Sequence, residues 1–493
     1  MHPLAKLDHA HVWHPFTQMR DWLRREPIVI VEGKGAVLRD VHGREYLDAN
    51  SSIWTNLHGH NHHKINSAIQ SQLKKIAHSS ALGLANEPAS LLAKKLVQAA
   101  NPQSAIRNPR LSIVFFSDDG STALEVALKL AYQFTRRTRD KMAGRASSRA
   151  AQPKFLSLEG AYHGDTIGAV SLGHIDLFHK AYAGLLFKTD KVMSPYCYRC
   201  PFNRAKPERA DARRYRKCNW ECVDMVERKF SAQKRKGNPY AAFVFEPAIQ
   251  GAAGMIPQPA GWLNRVAQIA HGHGALLIAD EVMTGFGRTG VSKTESGKRK
   301  AEILFACQHE DVHPDFLCLA KGLTGGYLPM AATLTTQKIF DAFLGEYQEF
   351  KTFFHGHSYT GNQLGAAASL ASLEILQSKK SIHARQKLAV ILREELESLW
   401  QLPNVGDIRQ VGLIAGIELV KDWRTREPFD LRERAGIRIC KAMAKRGVLT
   451  RPVGNVIVLM PPYCTTPGQM KKIAAVLKIA IAETFPLKKQ NIF

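Results

Sequence analysis

The sequence predicts an α/β fold: a largely parallel β-sheet covered by helices on both faces, followed by a smaller α+β unit. Two observations carry this. Short apolar runs at Lys154–Ser157, Ala242–Phe245, Leu276–Ala279 and Phe316–Leu319 alternate with stretches of helical spacing near Gly261–His273 and Gln363–Gln377. Beyond these the character changes: a long charged helix precedes short strands and two further helices.

The elements follow in order. The first 60 residues mix loops and short strands. Val29-Ile30-Val31 and Ala36-Val37-Leu38 flank Glu32-Gly33-Lys34-Gly35, the pattern of a hairpin turn. Ile65–Ala77 and Pro88–Ala100 have helical spacing. Leu111–Phe116 is an apolar strand that runs into Ser117-Asp118-Asp119-Gly120-Ser121-Thr122, and a helix follows with Leu124, Ala127, Leu128 and Ala131 on one face. Toward the C-terminus, helices are predicted at Ile382–Leu399, Arg432–Arg446 and Thr466–Ala482, with strands at Leu413–Val420 and Val456–Met460.

A chain of 493 residues, 45% hydrophobic, has material for a large core and more than one domain. No window reaches the length of an uninterrupted apolar membrane span, and Met1–Asp8 has no apolar export core, so a cytoplasmic location and no membrane partner are expected. The net charge of +25 raises the question of a nucleic-acid partner. Much of the excess sits in Arg136–Lys154, Arg199–Lys217 and Lys293–Lys300, which read as surface insertions, and no nucleic-acid motif accompanies them. Nucleic acid is therefore not an expected partner.

Eight cysteines, four of them scattered, argue against a disulfide framework. Cys197-x2-Cys200 and Cys218-x3-Cys222 have spacings compatible with a small zinc site, but the three-residue gap and the charged, irregular stretch between the pairs favour reduced thiol turns in a variable loop. The run His58-Gly59-His60-Asn61-His62-His63 has a metal-binding look, but it is read as a structural loop, and no metal is expected there.

The chemistry centres on Lys321. It follows the apolar run Phe316–Ala320, a poor place for a charge, because burial pulls an ammonium toward the neutral amine. A neutral amine attacks carbonyls. The run Ala275–Ala279 ends in Asp280-Glu281. A lysine and a carboxylate, each closing its own strand, point to an enzyme that holds pyridoxal phosphate as a Schiff base. Gly120-Ser121-Thr122, between strand and helix, is a phosphate cradle: glycine admits the anion and the helix start offers free N–H groups. A plain helix N-cap would read the same way. Asp280 would hold a pyridine nitrogen protonated, or else serve as a turn residue. Tyr162 would stack on a ring, or else pack in a loop.

Taken together, Glu246-Pro247, Asp280-Glu281-Val282, Gly285-Phe286-Gly287-Arg288-Thr289-Gly290, Lys321-Gly322 and Gly361-Asn362 resemble the class III pyridoxal-phosphate aminotransferases. Trp13-His14-Pro15-Phe16-Thr17, Tyr162-His163-Gly164-Asp165-Thr166, Phe305–His309 and Thr450-Arg451-Pro452 resemble the biotin-pathway branch, which aminates 8-amino-7-oxononanoate to 7,8-diaminononanoate. The alternative is another class III ω-aminotransferase acting on a diamine or an ω-amino acid.

The resemblance covers nearly the whole chain and implies fold type I. Its large cofactor-binding domain would span residues 66–365, and its small domain would come from residues 1–65 and 366–493. It implies a homodimer with shared active sites. Lys321 would carry the cofactor and move protons, Asp280 would hold the ring nitrogen, and Gly120 with Ser121 would hold the phosphate. Tyr162 would line ring and substrate; His357 and Ser358 would contribute to cofactor binding, Ser358 reaching the neighbouring subunit's phosphate. Trp54, Gly356 and Arg451 would border the substrate, Arg451 as a fork for its carboxylate.

Two positions depart from many relatives: Phe16 stands where a tyrosine is usual, and Ile53 where a second tryptophan precedes Trp54. S-adenosylmethionine and L-lysine both stand as the amino donor. The stretch Phe354–Gln363 tilts the expectation toward lysine.

Overall fold

The computed structural model describes residues 1–101, 110–143, 152–205, 217–290 and 303–486. Strands β1 (Ile30–Lys34), β2 (Val37–Asp40) and β3 (Glu45–Asp48) form an antiparallel meander near the N-terminus. The expected hairpin is present, but its turn lies further on. Lys34 pairs with Val37, which leaves Gly35-Ala36 as the turn and Glu32-Gly33 inside the strand. Gly35 takes φ +59°, as a tight two-residue turn demands.

The central sheet has seven strands: β4 (Ile113–Ser117), β5 (Lys154–Leu158), β6 (Asp190–Val192), β7 (Tyr240–Phe245), then, after a small hairpin of β8 (Ile249–Gln250) and β9 (Ile256–Pro257), β10 (Leu276–Asp280), β11 (Phe316–Leu319) and β12 (Ala331–Thr335). Their order is β4-β12-β11-β10-β7-β5-β6. Neighbours are parallel except at β12, which runs antiparallel to both β11 and β4.

Alternate residues of these strands feed two separate cores. Phe243, Phe245, Leu277, Ala279, Leu317 and Leu319 face one, where Trp262 and Val266 of the helix Trp262–Gly272 pack. Ala242, Val244, Ile278, Phe316 and Cys318 face the other, against Leu124, Ala127, Leu128 and Ala131 of the helix Gly120–Ala143. Both faces of the sheet are therefore covered, and β7, β10 and β11 read as continuous apolar runs for that reason. Each fully buried large side chain here contributes about 1.5–3 kcal/mol.

The C-terminal part carries β13 (Val405–Val411), β14 (Ile414–Leu419), β15 (Val448–Leu449), β16 (Pro452–Val453) and β17 (Val456–Leu459), with helices at Lys379–Glu397, Ala435–Lys445 and Pro467–Thr484. One sheet has the order β13-β14-β17-β16, while β15 leaves it to pair in parallel with β3. The two ends of the chain thus build one sheet together.

Strand β13 carries charged residues, yet it is inside. Arg409 is 2% exposed and Asp407 1%. The Arg409 guanidinium donates to Glu418 at 2.5 Å, to the Tyr196 hydroxyl at 2.5 Å and to the Gly254 carbonyl at 2.8 Å. Arg199 adds a second cation to Glu418 at 2.7 Å. This cluster fastens the C-terminal sheet to the turn at Cys197–Arg199 and to the loop before β9.

Most of the basic segments, namely residues 144–151, 206–216 and 293–300, lie outside the described residues. Among the described residues no helix is long and apolar enough to cross a membrane.

Candidate active site

Parallel strands share polarity, so the C-terminal ends of β4, β5, β7, β10 and β11 open onto one edge of the sheet. At or just past those ends lie Gly120 and Ser121, Tyr162 and His163, Glu246, Asp280 and Lys321.

Lys321 follows β11 after Ala320 and takes φ +42°, unusual for a side-chain-bearing residue. Burial pulls its amine down, and the negative charges of Asp280 and Glu246 oppose that pull. Its Nζ lies 4.6 Å from the centre of the Trp54 ring.

Trp54 reaches this position through a strained backbone. Ser51, Ser52, Ile53 and Trp54 all have positive φ, at +46°, +58°, +115° and +71°. Ile53 is β-branched, and such a conformation costs on the order of 1–3 kcal/mol. Neighbouring groups hold it. Asp48 accepts from the Ser52 amide at 2.9 Å and from His60 at 3.0 Å. The Ser51 hydroxyl donates to the Met460 carbonyl at 2.7 Å. The Trp54 indole donates to Asn50 at 2.9 Å, which fixes the ring's orientation.

Asp280 is 6% exposed. One carboxylate oxygen accepts from the Val282 amide at 3.0 Å; the other accepts from His163 Nδ1 at 2.7 Å. Glu246 lies buried behind the same loop and accepts from the Gly251 amide at 2.7 Å. Burial pushes its carboxyl up to about 7.

At the head of the Gly120–Ala143 helix, Ser121 Oγ bonds the Thr166 hydroxyl at 2.8 Å and accepts from its amide at 2.9 Å. A Cβ on Gly120 would meet Val282 at 2.6 Å, and one on Gly164 would meet Ser121 Oγ at 2.4 Å. Both glycines are therefore required by close packing around the cradle. Gly164 also has φ +118°. Gly164→Ala is expected to displace Ser121 and weaken cofactor binding by about tenfold or more, measured by titrating pyridoxal phosphate into the variant. Unchanged affinity would remove Ser121 from the cradle.

Tyr162 donates to Asp165 at 2.7 Å, and burial together with that carboxylate raises its phenol. Its ring belongs to an aromatic group with Phe16 at 6.5 Å, Phe178 at 6.2 Å and His179 at 6.3 Å. Phe16, 60% exposed, forms the rim.

Gly120, Ser121, Tyr162, Asp280, Lys321 and Trp54 thus meet at one strand edge. His357 lies against that edge, its Nδ1 2.9 Å from an Asp118 carboxylate oxygen. Gly356, Ser358 and Arg451 lie on exposed segments of the protomer. Arg451 stands two residues past β15, whose partner β3 leads directly into Trp54. Sequence reasoning gave no role to His163, Val282 or Thr166. All three lie in short runs already singled out, but their partners come from neighbouring strands, whose order no local pattern reveals.

Glu281, beside Asp280, faces away and caps another segment. It accepts from the Ala306 and Cys307 amides at 2.5 and 2.8 Å. Burial raises its carboxyl from 4.5 to about 7, so the fold favours the protonated form. That contribution is complete below the unfolded value and is lost as pH rises through about 7. Glu281→Gln is therefore expected to gain stability relative to the parent between about pH 5 and about pH 8, read from urea unfolding at both. An equal difference at the two would refute it.

Among the described residues no group of three or more His, Cys, Asp or Glu side chains is arranged to hold a metal. No disulfide joins Cys197, Cys200, Cys218 or Cys222. In the histidine-rich loop, His58 bonds Ser372 at 3.0 Å, and burial lowers it to about 3.

A partly buried amine, a fixed carboxylate, an aromatic wall and a glycine-lined helix start suit a group that carries an aldehyde, a ring nitrogen and a phosphate. Those are the features of pyridoxal phosphate, and the fold with this site defines the fold-type-I class of enzymes that use it. The family model for class III aminotransferases matches residues 19–481, and the chain belongs to that family.

The chain is 46% identical over 463 residues to the adenosylmethionine-8-amino-7-oxononanoate aminotransferase of Geobacter sulfurreducens, covering 94% of each. The crystal structure of the protein of that name from Methanocaldococcus jannaschii superposes with TM-score 0.84 at 40% identity, covering 97% of this chain and 98% of that one. An amine transaminase from an uncultivated Pseudomonas species, solved with pyridoxal phosphate bound, gives TM-score 0.83 at 32% identity, covering 96% and 98%.

Proposed function

We propose that this chain transfers an amino group to 8-amino-7-oxononanoate, forming 7,8-diaminononanoate for biotin synthesis, with pyridoxal phosphate as cofactor and S-adenosylmethionine as donor. The observation that carries the reading is the full-length identity of 46% to a relative of that named activity, on a chain whose Lys321 amine sits 4.6 Å from the Trp54 ring.

Bound pyridoxal phosphate supplies an electron sink for the carbon that loses and regains a proton. The rest falls to the protein. Lys321 anchors the cofactor, and its amine, lowered by burial, takes that proton and returns it. Asp280 holds the ring nitrogen. Gly120 and Ser121 hold the phosphate at the helix start, where the dipole favours an anion. His357 and Ser358 assist cofactor binding, Tyr162 lines the ring, and Trp54, Gly356 and Arg451 border the substrate. Arg451 is the cation for the substrate's carboxylate.

A shared homodimeric site belongs to this reading. The protomer leaves Leu82 91%, Phe354 73% and Tyr359 62% exposed beside the segment that carries Ser358, an apolar surface suited to a second copy. Light scattering is expected to give twice the protomer mass, and a protomer mass alone would overturn the shared site.

Phe16, Tyr162, Phe178 and Trp54 offer aromatic faces to a sulfonium and an adenine ring, which favours S-adenosylmethionine over the slender lysine chain. A donor panel with 8-amino-7-oxononanoate as acceptor tests both points. S-adenosylmethionine is expected to give the highest kcat/KM. Turnover with lysine alone would reassign the donor. Turnover with neither, but with simple diamines, would favour a different ω-aminotransferase.

A further inference from the structure

We infer that Asp8 is a positioning residue for the amino donor: it holds Phe16 on the rim of the cleft, where the ring covers the donor's adenine. This rests on the functional reading above. Phe16 lies in the segment between the helices Pro3–His11 and Met19–Leu23. Its ring stands edge-on to Phe178 at 5.3 Å and to Tyr162 at 6.5 Å. Its backbone is left-handed, φ +48°, a conformation that a phenylalanine keeps only where its surroundings hold it. The residue is 60% exposed, so packing supplies little of that hold.

The hold comes from one carboxylate. Asp8 accepts from the Trp22 indole at 2.8 Å on one oxygen and from His14 Nε2 at 2.8 Å on the other. His14 precedes Phe16 and Trp22 follows it, so a single side chain clamps both ends of the segment. The two clamped rings also lie against each other, their centres 4.1 Å apart. Burial alone would push the Asp8 carboxyl up, but the bonds from Trp22 and His14 outweigh this and keep it below its ordinary value. The group is therefore an ionised acceptor, whose hydrogen bonds are the stronger kind. A further tie, from Asp21 to Arg434 at 2.5 Å, is half exposed and contributes little.

The test is steady-state kinetics on cofactor-loaded, full-length protein, with S-adenosylmethionine varied at saturating 8-amino-7-oxononanoate. Asp8→Ala is expected to raise KM for S-adenosylmethionine about tenfold or more, while kcat and the affinity for pyridoxal phosphate, read by absorbance, stay within about twofold. Asp8→Asn is expected to stay within about threefold of the parent KM, because its carbonyl can accept from Trp22 and its amide can donate to a neutral His14. Phe16→Ala is expected to raise KM as Asp8→Ala does, and combining the two is expected to change nothing further.

If Asp8→Ala does not fold, as judged by circular dichroism, His14→Phe takes its place: it keeps a ring against Trp22 but removes one arm of the clamp. A fall in kcat or in cofactor affinity with KM unchanged would mean a structural role only and overturn the proposal. So would a full further rise in KM when Asp8→Ala is added to Phe16→Ala. Wild type turning over lysine alone would overturn it as well, since no adenine would then meet Phe16. Wild type turning over neither donor would overturn the functional reading itself, and the proposal with it.

Discussion

Lys321→Ala is expected to fold, to lose the visible absorbance of covalently held cofactor, and to slow amino transfer by roughly 10⁴-fold or more. The size follows from two losses at once. The amine that fixes the cofactor is gone, and so is the base that moves the proton. Neither loss bears on the core, because Lys321 closes its strand and points into the edge cleft toward Trp54 rather than between helices. Folding is checked by circular dichroism and transfer by product formation. A variant within about tenfold of the parent rate would show that another group carries the proton.

Arg409→Leu is expected to be the most destabilising single change, by about 3–5 kcal/mol. The arginine offsets two carboxylates, Asp407 and Glu418, that are both nearly inaccessible. Removing it leaves Glu418 with the half-buried Arg199 as its cation and leaves Asp407 with the charge of Arg426 alone. Folded chains have only about 5–15 kcal/mol in hand, so the loss should appear as a lower urea midpoint. Earlier protease cutting near residues 196–205 should accompany it. Adding Glu418→Leu is expected to recover part of the loss, because the uncompensated charge goes with it. No recovery would mean that the arginine acts by packing its stem, not by charge.

What the sequence disclosed and what it withheld divide along physical lines. Strands buried on both faces announce themselves as apolar runs, so β7, β10 and β11 were legible. The residues that close them, Asp280 and Lys321, were legible because a charge after such a run is costly without a use. The helix Glu221–Arg235 was missed. Its buried Val223, Val226 and Phe230 are spaced for a helix, but lysines and acids between them hide the face. β12 was missed because Ala331-Ala332-Thr333-Leu334-Thr335 is neither long nor strongly apolar, and its antiparallel course is set by β4 and β11, not by its own residues. β13 was missed because Asp407 and Arg409 look like surface residues until Glu418 and Tyr196 are seen around them. Of the site, the lysine and the acid could be read one strand at a time. The bond from His163 to Asp280 could not, since it spans strands whose adjacency only the folded sheet creates.

The strained turn Ser51–Trp54 sets a timetable for the molecule's assembly. Its anchors come from far along the chain: the Ala49 amide donates to the Leu449 carbonyl at 2.9 Å, the Met460 amide to Ala49 at 2.8 Å, and the Ser51 hydroxyl to Met460 at 2.7 Å. During synthesis the first hundred residues emerge early, and the central sheet can form while the chain is still growing. Trp54 must wait until residues 449–460 have left the ribosome before it can settle above Lys321. From the synthesis of Lys321 until residues 449–460 emerge, the nascent chain carries an uncapped amine, and the cofactor cleft is among the last parts of the protein to become complete.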